Sequence, residues 1–150
     1  MSFLASATLL VPGTLLLSSY CFYAKKKKEA ILVLVGFYGG VALSYSLKRI
    51  FQIARPEDHL VPIDGYSFPS GHAMSAVIFY SLLAFIIGKE IKNKSDRLIF
   101  IIANIVIILL VGLSRVMLKV HYLTDVIGGY LIGLLWLFVI YKILGELNEK

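Results

Sequence analysis

A histidine and an aspartate near the C-terminal end of the chain have the spacing of an activated pair. His121 and Asp125 are separated by four residues and are neighbours on a helix. A carboxylate that accepts the proton of one imidazole nitrogen fixes the tautomer and leaves the lone pair of the other nitrogen free. Such a histidine can act as a nucleophile or a base. A purely structural His–Asp pair is the alternative interpretation.

Two cations earlier in the chain can converge on one anion. Lys48 and Arg55 are seven residues apart, nearly two helical turns, so on a helix they share a face. Pro56 biases Arg55 away from helix and is expected to end it. Arg55 offers a planar fork to phosphate oxygens and Lys48 a point charge. Snorkelling of both side chains to the membrane interface is the alternative.

The segment Phe68-Pro69-Ser70-Gly71-His72 predicts the start of a helix. Free amide groups and the dipole make a helix N-terminus suitable for anions. We expect Ser70 to cap the helix and donate its hydroxyl, and Gly71 to let the backbone approach a ligand. His72, in the first turn, can give a proton to a bound group. An ordinary turn with an interfacial histidine explains the same residues.

Taken together with Arg115, these residues predict an anion site on one face of the molecule. Three cations, two helix N-termini and two histidines fit a guest of high charge density such as phosphate, with one histidine attacking and the other protonating the leaving oxygen. Two histidines and one carboxylate among many cations disfavour a metal site. We expect neither a metal nor a cofactor.

Composition indicates the elements that position these residues. Of the 150 residues, 59% are hydrophobic and 16% charged, against about 45–50% and about 25% in soluble domains. Five apolar runs are long enough for transmembrane helices, which need about 17–25 residues. The sequence therefore predicts an all-α integral membrane helix bundle, with residues 1–150 as a single domain. The apolar runs cover 3–24, 30–47, 65–88, 98–114 and 122–141.

The charges outside these runs predict the orientation. With five spans, ten of the fifteen cations fall on one side, which should be the cytoplasm. The candidate site falls on the opposite, extracytoplasmic side. The net charge of +6 is thus explained by topology, and we expect no nucleic-acid partner.

The three polar blocks resemble the motifs of the type 2 phosphatidic acid phosphatase superfamily. That family carries K-x6-R-P, P-S-G-H and S-R-x5-H-x3-D in this order. The chain has Lys48-x6-Arg55-Pro56, Pro69-Ser70-Gly71-His72 and Ser114-Arg115-x5-His121-x3-Asp125. All three motifs are complete, and the resemblance covers residues 30–141.

The resemblance implies a metal-independent phosphatase of lipid phosphates or diphosphates in the bacterial cytoplasmic membrane. It implies that His121 is the nucleophile, forming a phosphohistidine, that Asp125 orients it and that His72 is the general acid. It further implies a set of residues that bind the phosphoryl oxygens, namely Lys48, Arg55, Ser70, Gly71 and Arg115. Isoprenoid diphosphate, phosphatidylglycerol phosphate and phosphatidic acid are the candidate substrates.

Two alternatives stand beside this interpretation: a vanadate-dependent haloperoxidase, which shares the anion site, and a non-catalytic membrane protein that binds or transports lipid phosphates. The family's membrane enzymes generally have six helices, whereas the sequence predicts five. The expectation is that the first helix of the family pattern is absent or that the chain start is misassigned.

Overall fold

Five α-helices make up nearly all of the computed structural model, which describes residues 2–146. A short 3₁₀ helix, Ser2–Ala5, precedes them. No strand occurs within residues 2–146, and the predicted all-helical bundle is confirmed. The helices are α1 (Ala7–Tyr23), α2 (Lys27–Phe51), α3 (Gly71–Glu90), α4 (Lys94–Met117) and α5 (Leu123–Glu146).

The outer surface of the bundle is apolar, as a membrane requires. Helices α2 to α5 are long and apolar enough to cross a bilayer, while α1, with 17 residues, is a shorter apolar helix. Large apolar side chains on α4 and α5 point outward. In water such a continuous surface would drive association, whereas lipid covers it. The chain is an integral membrane protein. Those outward side chains include Leu98, Ile102, Leu109, Leu113, Leu131, Leu135 and Phe138.

The ends of α2 and α4 differ from the sequence prediction. Helix α2 ends at Phe51, before the end expected at Pro56, because Gln52 adopts the left-handed conformation (φ 50°). Helix α4 is capped by Asn93, whose side chain accepts a hydrogen bond from the amide of Ser95. Ser95-Asp96 in the sequence predicts an N-cap at this position, and that prediction was wrong, because Asn93 already satisfies the free amide of Ser95.

The third apolar run, 65–88, begins with a non-helical segment, and its helix starts within residues 68–72 as predicted. Residues 65–70 are non-helical, and α3 begins only at Gly71. Ser70 is the N-cap, and its hydroxyl accepts a hydrogen bond from the amide of Ala73 at 3.5 Å. Pro69 precedes the cap, where its missing N–H and restricted backbone favour a boundary. The prediction that Ser70 caps this helix is confirmed.

Helix α3 lies at the centre of the bundle and contacts all four other helices. Its close packing against α5 depends on Gly129, where a Cβ atom would lie 2.8 Å from the carbonyl oxygen of Ser70. The backbone of Ser70 also donates to the carbonyl of Asp125 at 3.0 Å. The beginnings of α3 and α5 are therefore held side by side.

At each end of the bundle, the segments that connect the helices contact one another. At one end, called here the lysine end, Lys26 from the α1–α2 turn forms an ion pair with Glu90 at the end of α3. At the other, called the site end, the loop 52–70 meets the α4–α5 connection 118–122. There the amide of Leu60 donates to the carbonyl of Leu118 at 3.0 Å, and Lys119 pairs with Asp58.

Candidate active site

Lys48 lies in the last turn of α2 and reaches toward the loop at the site end. Its ammonium donates to the carbonyl oxygens of Tyr66 at 2.7 Å and Ser67 at 3.0 Å. An ideal Cβ atom on Gly71 would lie 3.9 Å from Cε of Lys48, so the lysine passes beside the start of α3. The half-buried ammonium therefore lies next to the backbone that immediately precedes α3.

Arg55 is not on α2, and the argument that it shares a helical face with Lys48 was wrong. The left-handed Gln52 ends the helix first, and residues 52–56 continue without helical structure. Arg55 nevertheless faces the same site, because its guanidinium is fixed by the loop. Nε donates to the carbonyl of Gly65 at 3.0 Å, and Nη1 donates to the carbonyl of Val120 at 2.7 Å.

The histidine and carboxylate of the third block are almost completely buried. His121 is 3% exposed and Asp125 1% exposed, and Nδ1 of the imidazole is 3.4 Å from Oδ2 of the carboxylate. His121 precedes α5 instead of belonging to it, contrary to the prediction. Asp125 lies in the first turn of α5 and accepts the amide of Tyr122 at 2.8 Å, which folds the carboxylate back toward His121.

The contacts of His121 define its tautomer. Its Nε2 lies 3.3 Å from Nη1 of Arg55, and a guanidinium only donates hydrogen bonds. Nε2 is therefore the acceptor and Nδ1 carries the proton toward Asp125. Burial and the positive charges of Arg55 and Lys48 lower the pKa of His121 below its ordinary range, because each disfavours the imidazolium. The ring is neutral at pH 7.

His72 and Arg115 complete the set of predicted residues. His72 lies in the first turn of α3, as predicted, and the charges of Arg115, Arg55 and Lys48 all act on it. Arg115 is 4% exposed in the last turn of α4. The predicted residues therefore come from α2, the 52–70 loop, α3, α4 and the start of α5, and they meet at the site end.

Sequence reasoning missed Ser67, which is fully buried beside the His–Asp pair. Its hydroxyl donates to Oδ2 of Asp125 and lies 3.3 Å from Nδ1 of His121. These contacts join residues 54 and 58 positions apart, so local spacing carries no signal for them. The only sequence hint is that Ser67 stands two residues before Pro69.

An apolar groove of about 330 Å³ leads to this centre between α1, α2 and α3. Its polar end consists of Lys48, Gly71 and His72. The groove reaches the outer surface of the bundle at Tyr38, Val41 and Tyr45, which are exposed on α2. A molecule with an anionic head and an apolar tail fits this combination. The other apolar lining includes Leu10, Val11 and Phe37.

Among residues 2–146, no group of three or more acidic, histidine or cysteine side chains lies close enough together to hold a metal ion. The charge at the centre is instead dominated by lysine and arginine.

The fold and the centre define a membrane-embedded helix bundle with a buried His–Asp pair among cations. The chain belongs to the PAP2 superfamily, whose family model matches residues 29–149. It is 34% identical over 140 residues to phosphatidylglycerophosphatase B of Bacillus subtilis, covering 91% of this chain and 68% of that protein.

Two solved structures share the fold. The crystal structure of a transmembrane PAP2-type phosphatidylglycerolphosphate phosphatase from Bacillus subtilis superposes with a TM-score of 0.85 at 32% identity, covering 98% of this chain and 74% of that one. Aquifex aeolicus LpxE superposes with a TM-score of 0.73 at 27% identity, covering 94% and 81%. The chain is thus a membrane lipid phosphate phosphatase, and the predicted family and hydrolase class are confirmed.

Proposed function

We propose that this protein removes the terminal phosphate of phosphatidylglycerol phosphate through a phosphohistidine on Nε2 of His121. The observation that carries the proposal is the position of Nε2 of His121, which bears no proton and lies 3.3 Å from Nη1 of Arg55. A phosphate bound beside this pair would take over the hydrogen bond from Arg55, so that Nε2 faces phosphorus while the guanidinium donates to a phosphate oxygen. Similarity to phosphatidylglycerophosphatase B supports this lipid among the candidate substrates.

In the first step the phosphate binds among Lys48, Arg55 and Arg115, with the Ser70 hydroxyl and the Gly71 amide contributing further donors. Nε2 attacks phosphorus, and the bond between phosphorus and the lipid oxygen breaks. The bound phosphate dianion offsets the neighbouring cations and favours the imidazolium form of His72. Protonated His72 gives its proton to the leaving oxygen, which releases phosphatidylglycerol. The cations stabilise the charge on the equatorial oxygens, as phosphoryl transfer requires.

In the second step water completes the cycle. Neutral His72 takes a proton from the water, whose oxygen attacks phosphorus as the bond to Nε2 breaks. Inorganic phosphate leaves, and His72 is again protonated while His121 is again neutral. Asp125 keeps the Nδ1 proton of His121 in place throughout. We propose that no metal is needed, because three cationic side chains supply the positive charge.

The apolar groove supports a lipid substrate over a soluble phosphate ester. Its polar end is shared with the catalytic residues, and its apolar walls open at the bundle surface. An acyl chain entering there would place its phosphate beside Lys48 and His72. Residues 1–150 would then act as one catalytic domain, with tail and headgroup bound between helices of the same bundle.

We also propose that the site end faces the outside of a bacterial cytoplasmic membrane. The lysine end carries the α1–α2 turn and the α3–α4 connection, where lysines are concentrated. Lys26 and Glu90 join these two segments at the same end of the bundle. Cytoplasmic loops carry an excess of lysine and arginine, which supports this orientation.

The test is phosphate release by the purified protein in detergent micelles. Phosphatidylglycerol phosphate, phosphatidic acid, an isoprenoid diphosphate and glycerol 3-phosphate are compared with EDTA present. We expect the highest kcat/KM for phosphatidylglycerol phosphate and little turnover of glycerol 3-phosphate. His121→Ala should lower kcat by about 10⁴-fold or more and abolish the acid-labile phosphoenzyme.

His59→Ala is the matched control, because this histidine is exposed in the 52–70 loop and its ring nitrogen is hydrogen-bonded to the carbonyl of Pro56. It should retain wild-type turnover. Wild-type activity in His121→Ala would contradict the assigned nucleophile. Absence of phosphate release from every lipid would contradict the substrate class.

A further inference from the structure

Ser67 occupies a junction between the phosphate-binding cations and the His–Asp pair. Its backbone amide donates to the carbonyl of Ile53 at 2.7 Å, and its own carbonyl accepts Lys48 at 3.0 Å. The residue is fully buried. The amide and the carbonyl of Ser67 are therefore both hydrogen-bonded, and these two bonds fix the position of its side chain.

The Ser67 hydroxyl contacts both members of the His–Asp pair. The distance from Nδ1 of His121 to Oδ2 of Asp125 is 3.4 Å and that to Oγ of Ser67 is 3.3 Å, so two oxygens lie at similar distances from the Nδ1 proton. Ser67 Oγ donates its single proton to Oδ2 of Asp125 and lies 3.3 Å from Nδ1. Its lone pairs are then available to accept the Nδ1 proton.

We propose that Ser67 is a positioning residue, which carries the orienting effect of Asp125 to the nucleophile His121 through its hydroxyl. This inference rests on the proposed role of His121. In this arrangement the carboxylate holds the hydroxyl, and the hydroxyl holds the Nδ1–H of the ring. The Nε2 lone pair is thereby aimed at the site where phosphate binds.

Removal of the hydroxyl separates this role from the role of the Ser67 backbone. Ser67→Ala keeps the carbonyl that accepts Lys48, so the phosphate-binding cations stay in place. It removes one of the two oxygens beside Nδ1–H and leaves Oδ2 of Asp125, so the ring loses part of its restraint. A misplaced reacting group can cost about 10²-fold in rate. The loss should therefore appear in the chemical step and not in phosphate binding.

The experiment compares wild type, Ser67→Ala and Ser67→Cys in the phosphate-release assay with phosphatidylglycerol phosphate. Ser67→Cys keeps nearly the original volume but replaces the hydroxyl with a poor hydrogen-bonding thiol. We expect kcat to fall about 10- to 100-fold in both variants. KM and the inhibition constant of inorganic phosphate should stay within about threefold of wild type, because the cations are unchanged.

Ser18→Ala is the matched control. Ser18 is buried, like Ser67, but its hydroxyl donates to a backbone carbonyl, that of Ala30 at 3.3 Å. It lies toward the lysine end, away from the His–Asp pair. Its kcat should equal that of wild type. Wild-type kcat in folded Ser67→Ala or Ser67→Cys overturns the proposal. So does a weakening of phosphate inhibition in parallel with the loss of kcat, which would indicate general damage to the site.

A double-mutant comparison tests the connection itself. If Ser67 acts through Asp125, then Ser67→Ala combined with Asp125→Asn should be no slower than Asp125→Asn alone, within about threefold. Multiplication of the two single effects would overturn the proposed connection. If wild type releases no phosphate, the proposed function fails instead, so the two failures are distinguishable.

Discussion

At the scale of single residues, Arg55 shows how one side chain can serve both a loop and a catalytic centre. Its guanidinium contacts the carbonyls of Gly65, Asp64 and Val120 and also the Nε2 atom of His121. A planar fork with several donors can make these contacts at once. The same geometry that closes the loop therefore places a cation next to the proposed nucleophile.

Arg55→Lys should lower kcat/KM by about 10²- to 10³-fold, although the charge is conserved. Lysine cannot reach the carbonyls of Gly65 and Val120 and the phosphate simultaneously, and loss of one preorganised donor to a developing anion has about this cost. Steady-state phosphate release measures the effect. Arg49→Lys is the control, because Arg49 is exposed and stacks on Tyr45 with 4.6 Å from Cζ to the ring centroid. Equal activities of the two variants would contradict the interpretation.

Residue types and spacing predicted which residues would come together better than they predicted the local backbone that carries them. His121, Asp125, His72 and Ser70, which were singled out for the chemistry of their side chains, lie together at the site end. The reasoning that used helical faces was wrong for Arg55, because the left-handed Gln52 interrupts the helix. A single sequence contains no local signal for such a stop when glycine and proline are absent from the turn.

At the scale of helices, the contact between α3 and α5 determines how the two halves of the site meet. Ser70 and His72 stand at the start of α3, and Asp125 stands in the first turn of α5. Gly129, one turn further along α5, allows the backbones to approach closely. The separation of the proposed acid and nucleophile therefore depends on a residue that touches neither.

Gly129→Ala should lower both activity and thermal stability. The new methyl group would lie 2.8 Å from the carbonyl oxygen of Ser70, so a backbone must move, and overpacking of this kind costs about 1–3 kcal/mol. Melting temperature and kcat are the measurements.

Gly88→Ala is the matched control for this change, because a Cβ atom there has no neighbour within 4 Å. Alanine is also the better helix former, so this variant should be as active and at least as stable as wild type. A Gly129→Ala protein that is indistinguishable from Gly88→Ala would show that α5 can shift without consequence.

Hydropathy predicted the five helices but placed several of their ends incorrectly. The number of helices follows from the long apolar runs, which a bilayer requires. The ends depend on single hydrogen bonds, such as that from the amide of Ser95 to Asn93. Residues 65–70 belong to the apolar run 65–88 but are non-helical, and the carbonyls of Gly65 and Tyr66 accept hydrogen bonds from Arg55 and Lys48. Such use is decided by tertiary contacts.

At the scale of the whole molecule, the lysine end and the site end should face opposite sides of the membrane. Glu57 is exposed in the 52–70 loop and Lys92 is exposed in the α3–α4 connection. Glu57→Cys should react with a membrane-impermeant maleimide in intact cells, and Lys92→Cys should react only after permeabilisation. The native Cys21 is buried and should contribute no background. The reverse labelling pattern would place the site in the cytoplasm.

The groove that opens at Tyr38, Val41 and Tyr45 also determines how the substrate is encountered. A lipid can slide into it sideways and its dephosphorylated product can slide out again, without either leaving the bilayer. The quantity that saturates the enzyme is then the mole fraction of substrate in the surrounding leaflet, not its amount per litre. Adding inert phospholipid to the micelles would slow the reaction by surface dilution. Of the two products, only inorganic phosphate would diffuse away into the water.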